Sequence, residues 1–433
     1  MAVTSTTMNA LAKKVFGDFN KAIPEFAVMQ ELCTWQERAR TGDLYEELIQ
    51  ISRSHGFSFA RTTRRTAYSL AAVASLRTEP AQVQPSEIIG REQIAYGMLY
   101  AAEKAGEQAY AAAIGEALLS VLESHRFYLE FFMLYGDGGA TPATGQQPGL
   151  GTTSEAGTST TTPTLSISKK SWAPGIWAQM EGGTVDVYSS DLATKRSATT
   201  SWLVTAVSAA TREVSFSGAT AAETANVVAG DVFVPVASKG ECMAGLDTIA
   251  CNTGTLMALS ATTYGIWKAN KFDHGAVPAS VLDAHKSLAT AIGRGLSGDV
   301  TILCSHFMFM DAIEDTTALR RFIEDTRTEV DQGTEKLTFH GANAGKLEFR
   351  PHPMVKAGDL FAFKPKDLIR GGDSDITKGH PGKPDDNFFF DRPDNAACEV
   401  RNFSSEFIIH KKPSHLTKLY NILPRNIPAA PTD

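Results

Sequence analysis

Residues 98–135 read MLYAAEKAGEQAYAAAIGEALLSVLESHRFYLEFFMLY, a run without proline that stops at Gly136. Ala, Leu and Glu dominate it. Apolar residues recur at three- and four-residue spacing (Ile114, Leu118, Val121, Leu122, Leu129, Met133), which marks one face of a helix. At about 1.5 Å per residue the helix is roughly 50 Å long. Most helices have three or four turns, so this one is a scaffold along which other elements pack. Gly136 stands where a C-terminal cap belongs. The acids of the run, including Glu103, Glu107, Glu116, Glu123 and Glu130, outnumber its bases. The helix is expected over residues 101–135, with one face on strands from the C-terminal part of the chain.

The flanking sequence divides by pattern. Residues 1–52 are polar and mixed, with Pro24 in their midst, and read as an arm that needs a partner surface. Residues 53–97 hold two extended pieces around a tip broken at Pro80 and Pro85, a long hairpin or loop. From Arg53 to Arg77 there are five arginines and no acid, which reads either as a solvated basic face or as a projecting loop that docks on something acidic. Residues 98–183 carry the helix and then, over 136–165, a Gly/Thr/Ser/Pro tract with almost nothing to bury, expected as a flexible surface loop. Residues 184–240 contain TVDVY, TSWLVTAV, EVSFSG and DVFVPVA, short strands that predict a small inserted antiparallel barrel or sandwich. Residues 241–334 mix helix and strand. In VLDAHKSLATAIGRGL, Val281, Leu282, Leu288, Ile292 and Leu296 are expected on one helical face. Residues 335–433 return to strands. The class is α+β.

Chemistry is sparse. The chain has 433 residues, a net charge of −7 and a pI of about 5.9, which speaks against gripping nucleic acid as its main work. No apolar run reaches the length of a membrane span, and MAVTSTTMNALAKK lacks the apolar core of a signal peptide. Cys33, Cys242, Cys251, Cys304 and Cys398 are far apart with no C-x-x-C pair, so reduced thiols are expected, with bonds between subunits as the alternative. No G-x-S-x-G elbow, H-E-x-x-H pair or Walker loop occurs. GDGG at 136–139 and GRG at 293–295 are poor phosphate cradles. His340 and His352 flank a strand pair and are expected as surface residues without a ligand role. Asp373, Asp375, Asp385 and Asp386 sit in Gly/Pro-rich loops and read as a solvated loop or a loose cation site rather than as general acids. No catalytic residue, cofactor or metal set is expected.

An arm and a projecting loop make sense when neighbouring copies cover them. In this order of elements the chain resembles the major capsid proteins of tailed bacteriophages, with the Hong Kong 97-type fold of arm, extended loop, spine helix, peripheral domain and axial domain. WAPGIWAQMEGGTVDVYSS, ECMAGLDTIACNTGTLMAL and HPMVKAGDLFAFKPKDLIR look like stretches of a subset that carries a small β-rich insertion. The resemblance covers nearly the whole sequence and departs at the Gly/Thr tract of residues 140–164.

The resemblance implies a late structural protein of the virion. Hexamers and pentamers build an icosahedral shell around double-stranded DNA, assembled in the host bacterial cytoplasm with a scaffold and a portal. A decoration or cement protein is a possible further partner. No acidic coiled-coil leader is present, so the scaffold is expected to be separate. Packaged DNA is expected to be held weakly and without sequence specificity, and no membrane is involved. Rival readings are an encapsulin-type compartment of the same fold and a hydrolase or binding protein. The residues expected at subunit contacts are Arg61, Arg64, Arg65 and Arg77 with Phe57, Phe59 and Tyr68 on the loop. Their expected partners on a neighbour are Glu103, Glu107 and Glu116 on the helix and loop acids such as Asp373 and Asp375.

Overall fold

The computed structural model describes residues 27–33, 35–37, 42–59, 67–73, 75–96, 107–320, 337–341, 345–378, 389–391 and 396–430. The long helix runs unbroken over Glu107–Tyr135; residues 101–106 lie outside the described part. It lies across a sheet of five strands. These are β1 (Trp35–Glu37), β4 (Ser86–Ala95), β18 (Leu368–Lys378), β19 (Phe389–Asp391) and β20 (Ala397–His410). β20 is the hub: β4 pairs along one edge, while β18 and β19 share the other. Helix and sheet come close because β4 carries Gly90. A Cβ there would stand 3.1 Å from Val121 Cγ1.

Gly136 ends the helix for a reason of packing. A Cβ at this position would meet Met243 O at 2.0 Å, so only glycine lets residues 243–245 close over the helix end. Gly245 N donates to Gly136 O at 2.9 Å. In its last turns Leu129, Phe131, Met133, Leu134 and Tyr135 are all buried. A helix apolar on every side is packed on every side.

The layer on its other side is the second sheet, ordered β5 (Gly151–Thr152), β10 (Val232–Pro235), β7 (Thr184–Tyr188), β8 (Trp202–Ser208), β9 (Glu213–Ser217) and β6 (Thr164–Ser166). All its pairings are antiparallel. A bridge from Thr153 to Ile167 joins its first and last strands into a small barrel. Trp177 and Phe233 meet edge to face at 5.6 Å, and Phe216 stacks on Phe233 at 5.1 Å.

This corrects two expectations. The barrel does not begin at residue 184, and the Gly/Thr tract is not an unstructured loop, because it contributes β5 and β6. Gly151 is small enough for the strand to lie against Ile167 and Ser171, where a Cβ would stand 3.2 Å from Ile167 Cγ2, and Leu150 is wholly buried. Nor is the barrel's core separate: its aromatic residues join one apolar cluster with the last turns of the long helix.

The third sheet is ordered β13 (Asn270–Asp273), β21 (Thr417–Tyr420), β17 (Leu360–Phe363), β14 (Val300–Cys304), β16 (Gly345–Pro351) and β15 (Leu337–Gly341). Helices Val281–Gly293 and His306–Arg320 pack on it. Ser280 and Asp283 form a capping box at the start of the first. Leu288 and Leu296 are buried and Val281 and Ile292 pack against the same core, as expected, while Leu282 is exposed and Ala284, Ser287 and Ala291 complete the buried stripe. Two small alanines let the helix sit close to the sheet. The GRG turn at 293–295 closes the carbonyl end of this helix, which is the wrong end for a phosphate.

Late strands enter both layers, β20 the first and β21 the third. The final segment then straps the rest: Arg212 Nε donates to Pro428 O at 2.6 Å, and Arg425 N donates to Asp311 Oδ2 at 3.1 Å. All five cysteines are free.

Candidate functional site

The projecting element is a ladder of β2 (Tyr45–Ser52) with β3 (Arg77–Val83). Its base therefore starts within the stretch assigned to the arm. YEELIQIS alternates, which turns Tyr45 and Ile49 inward and Glu46, Leu48 and Gln50 outward. With Ala81, the inward pair packs on Ile369, Phe407 and Ile409. The Tyr45 and Phe407 rings lie 4.9 Å apart. Tyr45 Oη donates to Asp373 Oδ1 at 2.5 Å, and Gln82 N donates to Met257 O at 3.0 Å. The base is thus fixed on the body of the protein.

Beyond Ser52 the burial ends. Ala71 N donates to Ser58 Oγ at 2.5 Å, so the two limbs of the loop still touch. Phe57 is 67% exposed, Phe59 90%, Leu70 79% and Val73 87%. One exposed apolar side chain is ordinary. A loop whose large side chains all face outward marks an interaction surface.

The charged partners are arranged otherwise than the sequence suggested. Arg61, Arg64, Arg65 and Glu103 lie outside the described residues, as do Asp385, Asp386 and the side chains of Glu107, Glu116 and His340. Arg77 pairs with Glu79 of its own strand at 2.7 Å and covers the Tyr264 ring at 5.5 Å. Asp373 and Asp375 are not free solvated loop acids. Asp373 accepts from Tyr45 and, at 3.2 Å, from Ser405 Oγ. Asp375 accepts from Arg370 Nη2 at 2.6 Å.

Arg370 also grips Glu406 with two bonds, of 2.6 and 2.8 Å. Burial pushes Glu406 up to about 7 against that pull. These groups fix β18 on β20 where its register shifts between Gly372 and Thr377. Any contact these acids make with a neighbour is additional to the bonds inside the chain.

Two features escaped the sequence. A groove of about 520 Å³ runs along the foot of the hairpin, with Arg53, Arg294, Lys411, Lys412 and His415 facing Glu47. Lys411 is 3.3 Å from Glu47, and Arg294 is spent on Lys268 O and Asn270 Oδ1. The second is Glu130, wholly buried on the long helix. It accepts from Met29 N at 2.6 Å, Gln30 N at 3.2 Å and His352 Nε2 at 2.8 Å. His352 Nδ1 accepts from Met354 N, which places the ring proton on Nε2. His352 is therefore a buried clasp and not a surface residue. One carboxylate holds the end of the arm, Val28–Leu32, to the long helix. In sequence Glu130 looks like one more acid of the run, because its partners lie about 100 and 222 positions away.

Among the described residues no group of three or more His, Cys, Asp or Glu is placed to hold a metal ion, and no helix is long and apolar enough to cross a membrane.

No known family description matches the chain, and no curated protein matches it in sequence. Solved structures do. The capsid asymmetric unit of cyanophage A-1(L) aligns over 94% of this chain and 95% of its own, with a TM-score of 0.51 and 10% identity. The capsid of a native GTA particle aligns over 93% of both chains at a TM-score of 0.43 and 5% identity. The holo-SrpI encapsulin complex of Synechococcus elongatus aligns over 98% and 96%, at 0.42 and 9%. At such low identity the likeness to the cyanophage subunit is one of fold. The chain has the Hong Kong 97-type capsid fold with an inserted barrel.

Proposed function

We propose that this chain, which carries a capsid fold from end to end, is the major capsid protein of a tailed double-stranded DNA bacteriophage and forms the icosahedral shell around its genome. The observation that carries the reading is the hairpin. Its base is fixed to the body, and its outer part presents Phe57, Phe59, Leu70 and Val73 to solvent. Covering them with a neighbouring copy removes that apolar surface from water at every subunit. Many modest contacts, repeated around hexamers and pentamers, compound into a stable shell without one strong site. Arg61, Arg64 and Arg65 add charge to the same loop and set register against acids of the neighbour.

The net charge of −7 suits a container that must release its contents. DNA is held by counterions and local basic patches rather than by tight phosphate contacts. A separate scaffold and a portal act during assembly in the bacterial cytoplasm. The barrel offers a platform for a decoration protein on the shell surface.

The test is electron microscopy of the purified chain across a range of protein and salt concentrations. Shells, open sheets or ring-shaped capsomers support the reading. A small particle under every condition overturns it.

A further inference from the structure

Between the third sheet and residues 143–150 lies a buried charged cluster, away from the hairpin. Lys418 on β21, Asp247 in the helix Leu246–Cys251 and Asp359 just before β17 meet there, each wholly buried. Lys418 Nζ contacts Asp247 Oδ1, lies 3.0 Å from Asp359 Oδ1 and donates to Gly145 O at 2.8 Å. Asp247 Oδ2 accepts from Gln147 N at 2.8 Å. The Phe361 ring covers Lys418 Nζ at 5.3 Å. Lys356 stands nearby but reaches no carboxylate. It lies 4.1 Å over the Tyr135 ring and donates to Gln147 O and Gly149 O at 2.5 and 2.7 Å.

We infer that Lys418 and Asp247 are placed to condense into an amide within the chain, with Asp359 carrying the proton between them. The site supplies what the reaction needs. An amine nitrogen is pressed against a carboxyl group, a second carboxylate touches the same nitrogen, and bulk water, which would favour the separated ions, is excluded. Burying an ion pair costs solvation on both sides, and the amide has no charge to bury.

Asp359 takes one ammonium proton from Lys418 and passes it to the Asp247 oxygen that faces the lysine. Nζ then attacks Cγ of Asp247. Charge builds on Oδ2, which the Gln147 N–H already holds. The C–Oδ1 bond breaks, a second proton from Nζ joins that oxygen, and water leaves. An ammonium and a carboxylate become an amide and one water, with no oxidant, reductant or outside acid.

Burial pushes Asp359 up to about 6, which suits a group that holds a proton in passing. Burial works to lower Lys418, but Asp247 and Asp359 outweigh it and hold the amine above its ordinary value. Freeing the amine is therefore the slow step, and the bond forms after folding. It joins Leu246–Cys251 covalently to the last strand of the third sheet. The inference stands whether or not the chain builds a shell.

The test is the intact mass of the reduced, denatured full chain, freshly purified and after prolonged incubation. The wild-type chain is expected one water lighter than its sequence. Digestion should then yield a branched peptide joining residues 247 and 418. Lys418→Arg and Asp359→Asn are expected to keep the full sequence mass. If either variant fails to fold, the wild-type mass decides alone. Full mass in the incubated wild-type chain overturns the inference, and a branch at Asp359 overturns the assignment of roles.

Discussion

Replacing Phe57 and Phe59 together by serine separates folding from association. Inside the chain these side chains are 67% and 90% exposed. Their loss leaves no cavity and strands no partner, so the unfolding free energy should move by no more than about 0.5 kcal/mol. Under the proposed assembly both rings are covered by a neighbour. Burying a phenylalanine contributes about 1.5–3 kcal/mol, and the pair about 3–6 kcal/mol at each hairpin contact. Even if packing realises only the lower figure, about 3 kcal/mol raises the threshold concentration for assembly roughly a hundredfold. Light scattering against protein concentration gives the threshold, and urea unfolding of the unassembled chain gives the stability. An unchanged threshold refutes the argument. So does a loss of more than about 1 kcal/mol in the isolated chain, which would mean that the rings are packed before assembly.

Three further outcomes follow from buried groups. Glu130→Ala strands Met29 N, Gln30 N and the His352 ring; a stability loss of about 2–4 kcal/mol is expected, with new proteolysis near residues 27–33. Arg370→Met leaves Glu406 and Asp375 without their cation; calorimetry should show a loss of about 3–5 kcal/mol, while Arg77→Met, in an exposed pair, should leave the midpoint nearly unchanged. Burial pushes His125 and His410 down to about 4. Their unfolded forms take up protons first, so the stability they contribute is complete above about pH 6.5 and is lost as pH falls toward 4. His410→Gln should lower the steepness of that acid slope by about one proton, as read from urea unfolding at several pH values, and an unchanged slope would clear the imidazole of the role.

The elements visible in the sequence are those with a local signature. The long helix could be read because Ala, Leu and Glu recur without a proline up to Gly136. β7 to β10 could be read because β-branched and aromatic runs alternate between turns. β5 and β6 were hidden because Gly, Thr and Ser carry almost no apolar signal of their own. What places them is the partner strand, since Thr152 lies opposite Val232 and Leu165 opposite Val214. The exposure of Leu282 on the helix Val281–Gly293, and the burial of Ala284 in its stead, have a similar origin. Leu282 outweighs Ala284 by hydrophobicity, but the sheet leaves room for alanine. At the candidate site, Phe57 and Phe59 were legible as large side chains on a loop with nothing local to bury them. Glu130, Arg370 and Lys418 were not, because a buried charge looks like a surface charge until its distant partner is known.

The account rests on a hairpin that is finished by a neighbour, and a cryo-electron microscopy map of the assembled shell tests this most directly. The prediction is that residues 53–76 of each subunit lie on an adjacent copy, with Phe57 and Phe59 buried in the boundary and the ladder of β2 and β3 unchanged at its base. A map in which the loop folds back on its own subunit, or stands free in solvent around a closed shell, would contradict it.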